Sequence, residues 1–518
     1  MNGADALCET LLANGVDVCF ANPGTSEMHF VAALDRQPKM RCVLGLFEGV
    51  VTGAADGYAR MADRPAATLL HLGPGLANGL ANLHNARRAE TPMLNIVGDH
   101  ATYHGKFDPP LASDIESFAR PVSKWLGRAA FPRDVAPLTA AAYRHAVEER
   151  GVATVILPAD VAWGKVRADE MLKATAARPV STASTERIDA VAGSMLAARR
   201  PVLLLGGTAL RRKPLAEAAK LSARTGIPLI APASNSRMER GAGLPALRRI
   251  PYDIMQARNF LHDFDLIILV GARLPVAAFA YPDLPSQLVS DDSQILTLTA
   301  STEDHAAALA ALVDAFPAKG EAARENQPSI RQEVPVEGPL TAETISAIVA
   351  QRLPEGAVVC DESVTSGRHF FNLSCSAAPH DYLQLTGQAI GIGIPLAVGA
   401  AIAAPGRKVI GLQADGSGMY TAQGLWTQAR ERLDVITIVF ANRRYAVLQN
   451  EMKKMGIGDF GRNAKSMLSL GNPEISWIRL AESMGVEGRR VASLREFSAA
   501  FDAALRGTGP FLIEALID

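Results

Sequence analysis

Apolar and polar positions fall in alternating blocks along this chain of 518 residues, and the blocks predict strands and helices in turn. Short β-branched or leucine-rich runs closed by Gly, Pro or Asn read as strands buried on both faces. In the first third of the chain these are residues 16–20, 43–47, 66–72, 92–98 and 154–158. Residues 5–14, 50–61 and 76–88 carry apolar side chains at helical spacing between them. The third strand is predicted to break at Gly73-Pro74-Gly75, with its helix starting at Leu76. A second series has strands at 201–207, 228–231 and 266–271. A third begins with a helix after Leu340 and continues with strands at 357–360, 409–412 and 435–440. Helical spacing at 421–430 separates the last two strands. Polar, irregular text at 168–187 and 320–338 reads as linkers. The expected architecture is therefore α/β, with three doubly wound parallel-sheet domains at 1–167, 188–319 and 339–518.

Functional loops in such sheets follow the strand ends, so the polar residues there are the candidates for chemistry. Strand 409–412 leads into Asp415-Gly416-Ser417-Gly418, and strand 435–440 leads to Asn442. Parallel strands end on one edge, so Asp415 and Asn442 are predicted to meet although 27 positions separate them. A carboxylate oxygen, an amide oxygen and a nearby carbonyl suit a hard cation such as Mg²⁺, which keeps phosphates among its ligands. Backbone N–H groups of the Gly-rich turn could hold those phosphates. Taken alone, Asp415-Gly416-Ser417 reads rather as a solvated acidic turn; it is the spacing to Asn442 that points to a cation. A second hydroxyl-rich turn, 361–367, follows strand 357–360 and suits the same diphosphate.

Glu48 stands between an apolar strand and a helix of small residues, a place where partial burial is expected. Desolvation raises a carboxyl pKa unless a partner holds the charge, so a Glu here could donate a proton near neutrality. A helix-start acid favoured by the macrodipole is the alternative. His71 closes the third strand, where an imidazole near its ordinary pKa can give and take protons; a hydrogen-bonded structural His is the alternative. Asp99-His100 and His104 follow the next strand end and are read either as pocket lining or as a hydrogen-bonded loop.

Composition narrows the classes further. Hydrophobic content of 48% with 43 Gly and 31 Pro fits a large α/β protein. A net charge of −1 with no basic run leaves no case for nucleic acid or acidic lipid as a partner. Five cysteines without a CxxC pair argue against a disulfide framework or zinc site, and a reducing, cytoplasmic location is expected. The amino terminus lacks the basic start and apolar core of a signal peptide, and no apolar run is long enough to predict a membrane span. Gly206-Gly207 does not extend to a GxGxxG fingerprint.

The stretch from Asp415-Gly416-Ser417 through Asn442 resembles the signature of thiamine-diphosphate-dependent enzymes, with Ala414 in place of a usual Gly and Ala441 in place of a usual Asn. FEGVVTGAADGYAR, which begins at Phe47, resembles that family's segment in which a Glu hydrogen-bonds the cofactor's pyrimidine ring. Gly73-Pro74-Gly75 resembles the acetolactate synthase and pyruvate oxidase branch, and residues 385–395 and the closing GPFLIEALID also match the family. The resemblance spans the chain and implies a pyrimidine-binding, a central and a diphosphate-binding domain, in that order. It implies thiamine diphosphate and Mg²⁺ as cofactors, with Asp415, Asn442 and the backbone carbonyl of Arg444 on the metal. Ser363, Thr365, Gly416, Ser417 and Tyr445 would line the cofactor, and the Gln388 carbonyl would receive the aminopyrimidine. Ile390 would prop the cofactor into a V shape, although core packing explains an Ile there as well. Glu48 would shift the aminopyrimidine toward its imino form. Related enzymes bind FAD or ADP in the central domain, or nothing; FAD is not expected here.

The implied reaction is non-oxidative decarboxylation of a 2-oxo acid, with carboligation as a further outcome. His71 falls where benzoylformate decarboxylase-like enzymes carry an active-site His and acetolactate synthases usually carry a small hydroxyl residue. The second His that benzoylformate-type enzymes use has no counterpart at 276–280, where Phe279 suggests an apolar wall. Thr25, His100, His104 and Phe279 are the candidate substrate-pocket residues. An acetolactate synthase-like carboligase making 2-acetolactate from pyruvate is the alternative, and an FAD-containing oxidase a further one. The family implies a homodimer or homotetramer with active sites at the dimer interface.

Overall fold

The computed structural model describes residues 1–167, 179–317 and 337–517, so most of both expected linkers lies outside the described residues. The chain divides into two units. One comprises Met1–Ala177, Gln332–Leu373 and Gln384–Asp518; the other comprises Arg178–Arg331 and Ser374–Leu383.

The first unit is built on parallel strands whose side chains are apolar on both faces, as sandwiching between helices requires. Its amino-terminal sheet runs in the order Arg41–Leu44, Val18–Asn22, Ala66–Leu70, Met93–Asp99, Val152–Pro158 and Trp125–Arg128, parallel throughout. After its first strand the chain visits one edge, then crosses to the other side. The direction thus reverses between Val18–Asn22 and Ala66–Leu70, whose ends are level at Asn22 and Leu70. Ligands of open α/β sheets bind at such a reversal. In the carboxyl-terminal part, Glu487–Val491, Phe511–Leu516, Val435–Ala441, Val409–Ala414 and Val358–Glu362 also run parallel.

These two parts of the first unit meet through helices Glu48–Ala62 and Gly393–Ala403. A Cβ on Gly57 would lie 2.2 Å from the Leu396 carbonyl oxygen, and one on Gly399 would lie 1.8 Å from that of Ala54. The two backbones approach so closely that only Gly fits at either position. Around this crossing Arg60 is buried in an ion pair with Asp56 and donates to the Gln384 carbonyl at 2.7 Å.

The second unit carries a parallel sheet in the order Arg248–Arg249, Leu229–Ala231, Pro201–Leu205, Leu266–Val270 and Gln294–Thr299. It also holds an antiparallel pairing that sets His380 opposite Arg240. Pro201–Leu205, Leu229–Ala231 and Leu266–Val270 are the expected strands with shifted boundaries, whereas Arg248–Arg249 and Gln294–Thr299 are not among those expected.

Three local expectations need correction. Helix Leu72–Ala89 runs straight through Gly73-Pro74-Gly75 instead of starting after it. Pro74 sits in the first turn, where a missing N–H costs nothing, and Leu72 absorbs the change of direction in a left-handed conformation at φ 48°. Asp415–Gly418 is a turn of helix, and the helix expected over 421–430 is confined to Gly424–Arg430. Among the described residues no helix is long and apolar enough to cross a membrane.

His380 makes the second unit sensitive to acid. Burial, reinforced by the Arg240 guanidinium, lowers its imidazole from about 6.5 to about 4. The folded unit keeps this ring neutral while the unfolded chain protonates it, so stability is fully present above pH 6.5 and is lost as pH falls toward 4. The loss is at most about 3 kcal/mol. Denaturant unfolding between pH 7 and 4 should show it, and His380→Phe should flatten that limb.

Candidate active site

Glu48 opens helix Glu48–Ala62 and is buried, 6% exposed. Its Oε2 accepts a hydrogen bond from Asn78 Nδ2 at 3.0 Å. His71 is the residue before helix Leu72–Ala89, at the sheet's reversal point. Both side chains reach the same spot: a Cβ on Gly75 would lie 3.2 Å from Glu48 Oε1 and 3.3 Å from His71 Cβ. Leu72, between His71 and Gly75, is left-handed at φ 48°, and the Gly75 amide donates to the His71 carbonyl at 2.8 Å.

His71 Nδ1 lies 2.7 Å from Oε2 of Glu27. That carboxylate, 3% exposed, also accepts from the Gly24 amide at 2.9 Å and from Ser26 Oγ at 2.7 Å. The contact places the ring proton on Nδ1 and leaves Nε2 as the working nitrogen. Glu27 escaped the sequence reading because T-S-E looks like an ordinary turn with a capping acid, and its partner lies 44 positions away. Gly24 and Gly98 make room: a Cβ on Gly24 would lie 2.2 Å from His71 Nδ1, and one on Gly98 would lie 1.8 Å from Glu27 Oε1. Thr25 begins the same turn and is exposed.

The second cluster gathers at the adjacent ends of Val409–Ala414 and Val435–Ala441. Asp415 and Asn442 are brought together there: Asp415 Oδ2 accepts the Arg443 amide at 2.6 Å and Oδ1 accepts the Gly416 amide at 2.8 Å. Asn442 Oδ1 accepts the Arg444 amide at 3.1 Å. Burial pushes the Asp415 carboxyl up, against the pull of those amides. Asp415, Asn442 and the Arg444 carbonyl make a set of hard oxygen donors with one carboxylate. The Tyr445 ring covers Gly416, where a Cβ would lie 2.6 Å from Cε1. Ser417 is buried, and its Oγ accepts from Gln413 Nε2 at 2.7 Å.

On the neighbouring strand end, Ser363 is fully buried and its hydroxyl donates to Asp361 Oδ1. Val364 is left-handed at φ 52°, and Thr365 is half-buried. Glu362, 2% exposed, points inward between these turns and accepts three backbone amides from residues 391–393. Burial pushes its carboxyl up while those amides and Gln413 pull it down. No sequence signal marked Glu362, since its partners are peptide groups about 30 positions away.

Ile390 is half-buried, unlike the fully buried Ile392 and Ile394, so core packing does not account for it. Gln388 is exposed, in a left-handed turn at φ 61°. This turn is bonded to the helix that His71 precedes, and through Asn82 it is linked to the helix that Glu48 opens. Asn82 Nδ2 donates to the carbonyls of Gly49 at 2.7 Å and Gly391 at 3.2 Å, and Asn85 Nδ2 donates to Ala389 at 2.7 Å. The sequence reading missed Asn78, Asn82 and Asn85, which recur at helical spacing on one face.

His100 and His104 pair edge to face with ring centroids 5.6 Å apart, and the His100 amide bonds to Asp99. Among the described residues neither ring is bonded to His71. Phe279 lies in the second unit, largely exposed.

Comparison with known proteins gives a consistent picture. Residues 1–117 match the family model for the thiamine pyrophosphate enzyme N-terminal TPP binding domain, and residues 366–515 match that for the C-terminal TPP binding domain. A Mycobacterium tuberculosis protein named "Putative acetolactate synthase large subunit IlvX" is 48% identical, over 100% of this chain and 99% of that one. A benzoylformate decarboxylase of Pseudomonas aeruginosa is 28% identical, over 98% and 97%. The solved structure of a Rhodococcus jostii thiamine diphosphate-dependent 4-hydroxybenzoylformate decarboxylase superposes with a TM-score of 0.86 at 25% identity, covering 99% of this chain and 98% of that one.

The Gly24 contact is testable without any assay of turnover. Gly24→Ala should push the His71 ring off Glu27 while the protein stays folded. The low-field Nδ1–H resonance of a carboxylate-bound imidazole should then be lost from the proton NMR spectrum. Retention of that resonance would mean the turn relaxes around the added methyl.

Proposed function

This chain belongs to the family of thiamine pyrophosphate enzymes, and from that premise we propose that it catalyses the non-oxidative decarboxylation of a 2-oxo acid. The packing of the Glu48 carboxylate and of His71 Cβ against the same Gly75 carries the proposal, because it roots a proton-handling carboxyl and a proton-handling imidazole at one helix start.

The residues present fit the cofactor and its metal. Asp415, Asn442 and the Arg444 carbonyl offer oxygen donors at one sheet edge, as Mg²⁺ prefers. Amides of the Asp415–Gly418 turn and the 363–367 turn, with Thr365 and Ser417 nearby, suit a diphosphate. Half-buried Ile390 and the Gln388 turn supply an apolar prop and a carbonyl for the pyrimidine end. Thiamine diphosphate, when bound, supplies a carbon nucleophile and an electron sink for loss of CO₂. Glu48, held in place by Asn78, would exchange a proton with the pyrimidine ring. His71, oriented by Glu27, moves protons at Nε2 toward or from the substrate carbon. Thr25, His100, His104 and Phe279 remain candidates for the substrate pocket.

We assign the pyrimidine-binding, central and diphosphate-binding domains to 1–167, 188–319 and 339–518. We also propose a homodimer or homotetramer in which Glu48 serves a cofactor held by the partner subunit. Exposed apolar side chains beside both clusters, Leu46 at 47% and Tyr420 at 53%, support covering by a second copy. Five free cysteines, three of them buried, support a reducing cytoplasmic setting.

The name of the Mycobacterium tuberculosis relative supports a second reading, in which a second 2-oxo acid is joined and an acetohydroxy acid leaves. A panel of 2-oxo acids incubated with thiamine diphosphate and Mg²⁺ separates the two: an aldehyde with CO₂ supports the decarboxylase, and 2-acetolactate from pyruvate supports the synthase. Neither product from any acid would overturn both. Glu48→Gln should lower turnover at least about 100-fold, and His71→Ala about 10²- to 10⁴-fold with cofactor affinity nearly unchanged. Asp415→Ala should abolish Mg²⁺-dependent retention of thiamine diphosphate on gel filtration.

A further inference from the structure

Helix Gly393–Ala403 has no cap of its own. It begins Gly-Ile-Pro, and the residue before it, Ile392, has no side-chain oxygen to offer the free amides of the first turn. Glu362 takes that place from the end of a neighbouring strand. One oxygen, Oε2, accepts the Gly393 amide at 2.7 Å and Gln413 Nε2 at 3.1 Å. The other, Oε1, accepts the Gly391 amide at 2.6 Å and that of Ile392 at 3.2 Å. A cap would need only the helical amides. This carboxylate also grips the peptide next to Ile390, outside the helix.

The Gly391 peptide is held from its other side as well. Its carbonyl accepts from Thr421 Oγ1 at 2.8 Å and from Asn82 Nδ2 at 3.2 Å. Gly391 is in a conformation reserved for Gly, φ 101°, and Gln388 is left-handed at 61°. Such a turn keeps one shape only when its surroundings over-determine it. Glu362 lies beside Ser363 of one strand-end turn, and through Gln413 it reaches Ser417 of the turn that carries Asp415. One buried carboxylate therefore ties together the two turns at the diphosphate end and the turn at the pyrimidine end.

We propose that Glu362 is a positioning residue that sets the place of the Ile390 prop and the Gln388 carbonyl relative to the diphosphate anchor, and so controls activation of the bound cofactor. The proposal rests on the thiamine-diphosphate reading above. Glu362 touches neither cofactor nor substrate on this account; it acts through the 388–392 turn. Glutamine at this position keeps one carbonyl acceptor but replaces the other oxygen with a donor facing amides, which the turn can accommodate only by moving.

The test measures two properties separately, using the full-length protein with thiamine diphosphate and Mg²⁺. Affinity is read by isothermal titration, and activation by the rate of hydrogen–deuterium exchange at the thiazolium C2 position, followed by quenched-flow NMR. Glu362→Gln is expected to bind the cofactor within about 3-fold of the unaltered protein and to exchange C2–H at least about 100-fold more slowly. Ile390→Ala should slow exchange too, and the double variant should be no slower than the slower single one, because both act through the same turn. Unchanged exchange in Glu362→Gln overturns the proposal. So does loss of affinity in step with exchange, or additive effects in the double variant, since either marks a merely structural cap. Should Glu362→Gln not fold, Gln413→Leu removes one donor to the carboxylate; slower exchange at constant affinity supports the proposal and an unchanged rate overturns it. Failure of the unaltered protein to bind thiamine diphosphate would instead overturn the parent reading, and this inference with it.

Discussion

Two helices crossing at backbone contact govern the first unit. Gly57 and Gly399 each face a carbonyl of the opposite helix at a distance no side chain tolerates, so the crossing permits one depth and one register. The helix that carries Glu48 is thereby set against the helix that follows the Ile390 turn. Close packing of this kind is stiff, because protein interiors yield little before contacts are lost. Residues far apart in the chain can then act together without a ligand to organise them.

Buried carboxylates do the finer positioning. Glu27, Glu362 and Asp415 each sit almost out of water, and each is met by backbone amides at short range. At Glu362 and Asp415 burial disfavours the charge and the amides favour it, and all three acids serve as anchors for the groups that bond them. Glu27 anchors an imidazole, Glu362 a turn, and Asp415 the end of the neighbouring strand. Glycine makes two of these arrangements fit, at Gly24 and Gly98 around the His71–Glu27 pair and at Gly393 beside Glu362. The site is thus made of acids that hold peptides and of glycines that let them approach.

Much of this was legible beforehand. Asp415 and Asn442 could be paired from the sequence because parallel strands deliver their ends to one edge, whatever lies between them. Glu48 and His71 were visible as polar residues closing apolar runs. The start of helix Leu72–Ala89 was misread, because Gly-Pro-Gly signals a break locally, whereas tertiary packing tolerates a left-handed Leu72 and a Pro in the first turn. Glu27 and Glu362 were missed for a different reason. Their partners lie 44 and about 30 positions away, and those of Glu362 are mostly peptide groups, which carry no identity in a sequence.

By itself, then, the sequence determined the central strands, their parallel arrangement and the polar residues at their ends, since hydrophobic periodicity and turn chemistry act over a few residues. Only the tertiary structure decided that Glu48 and His71 share Gly75, that Glu27 holds His71, and that Ile390 stands outside the core. Those facts depend on helix crossings and on strained turns held by distant groups. Such contacts are selected by the packing of the whole unit, and no local pattern encodes them.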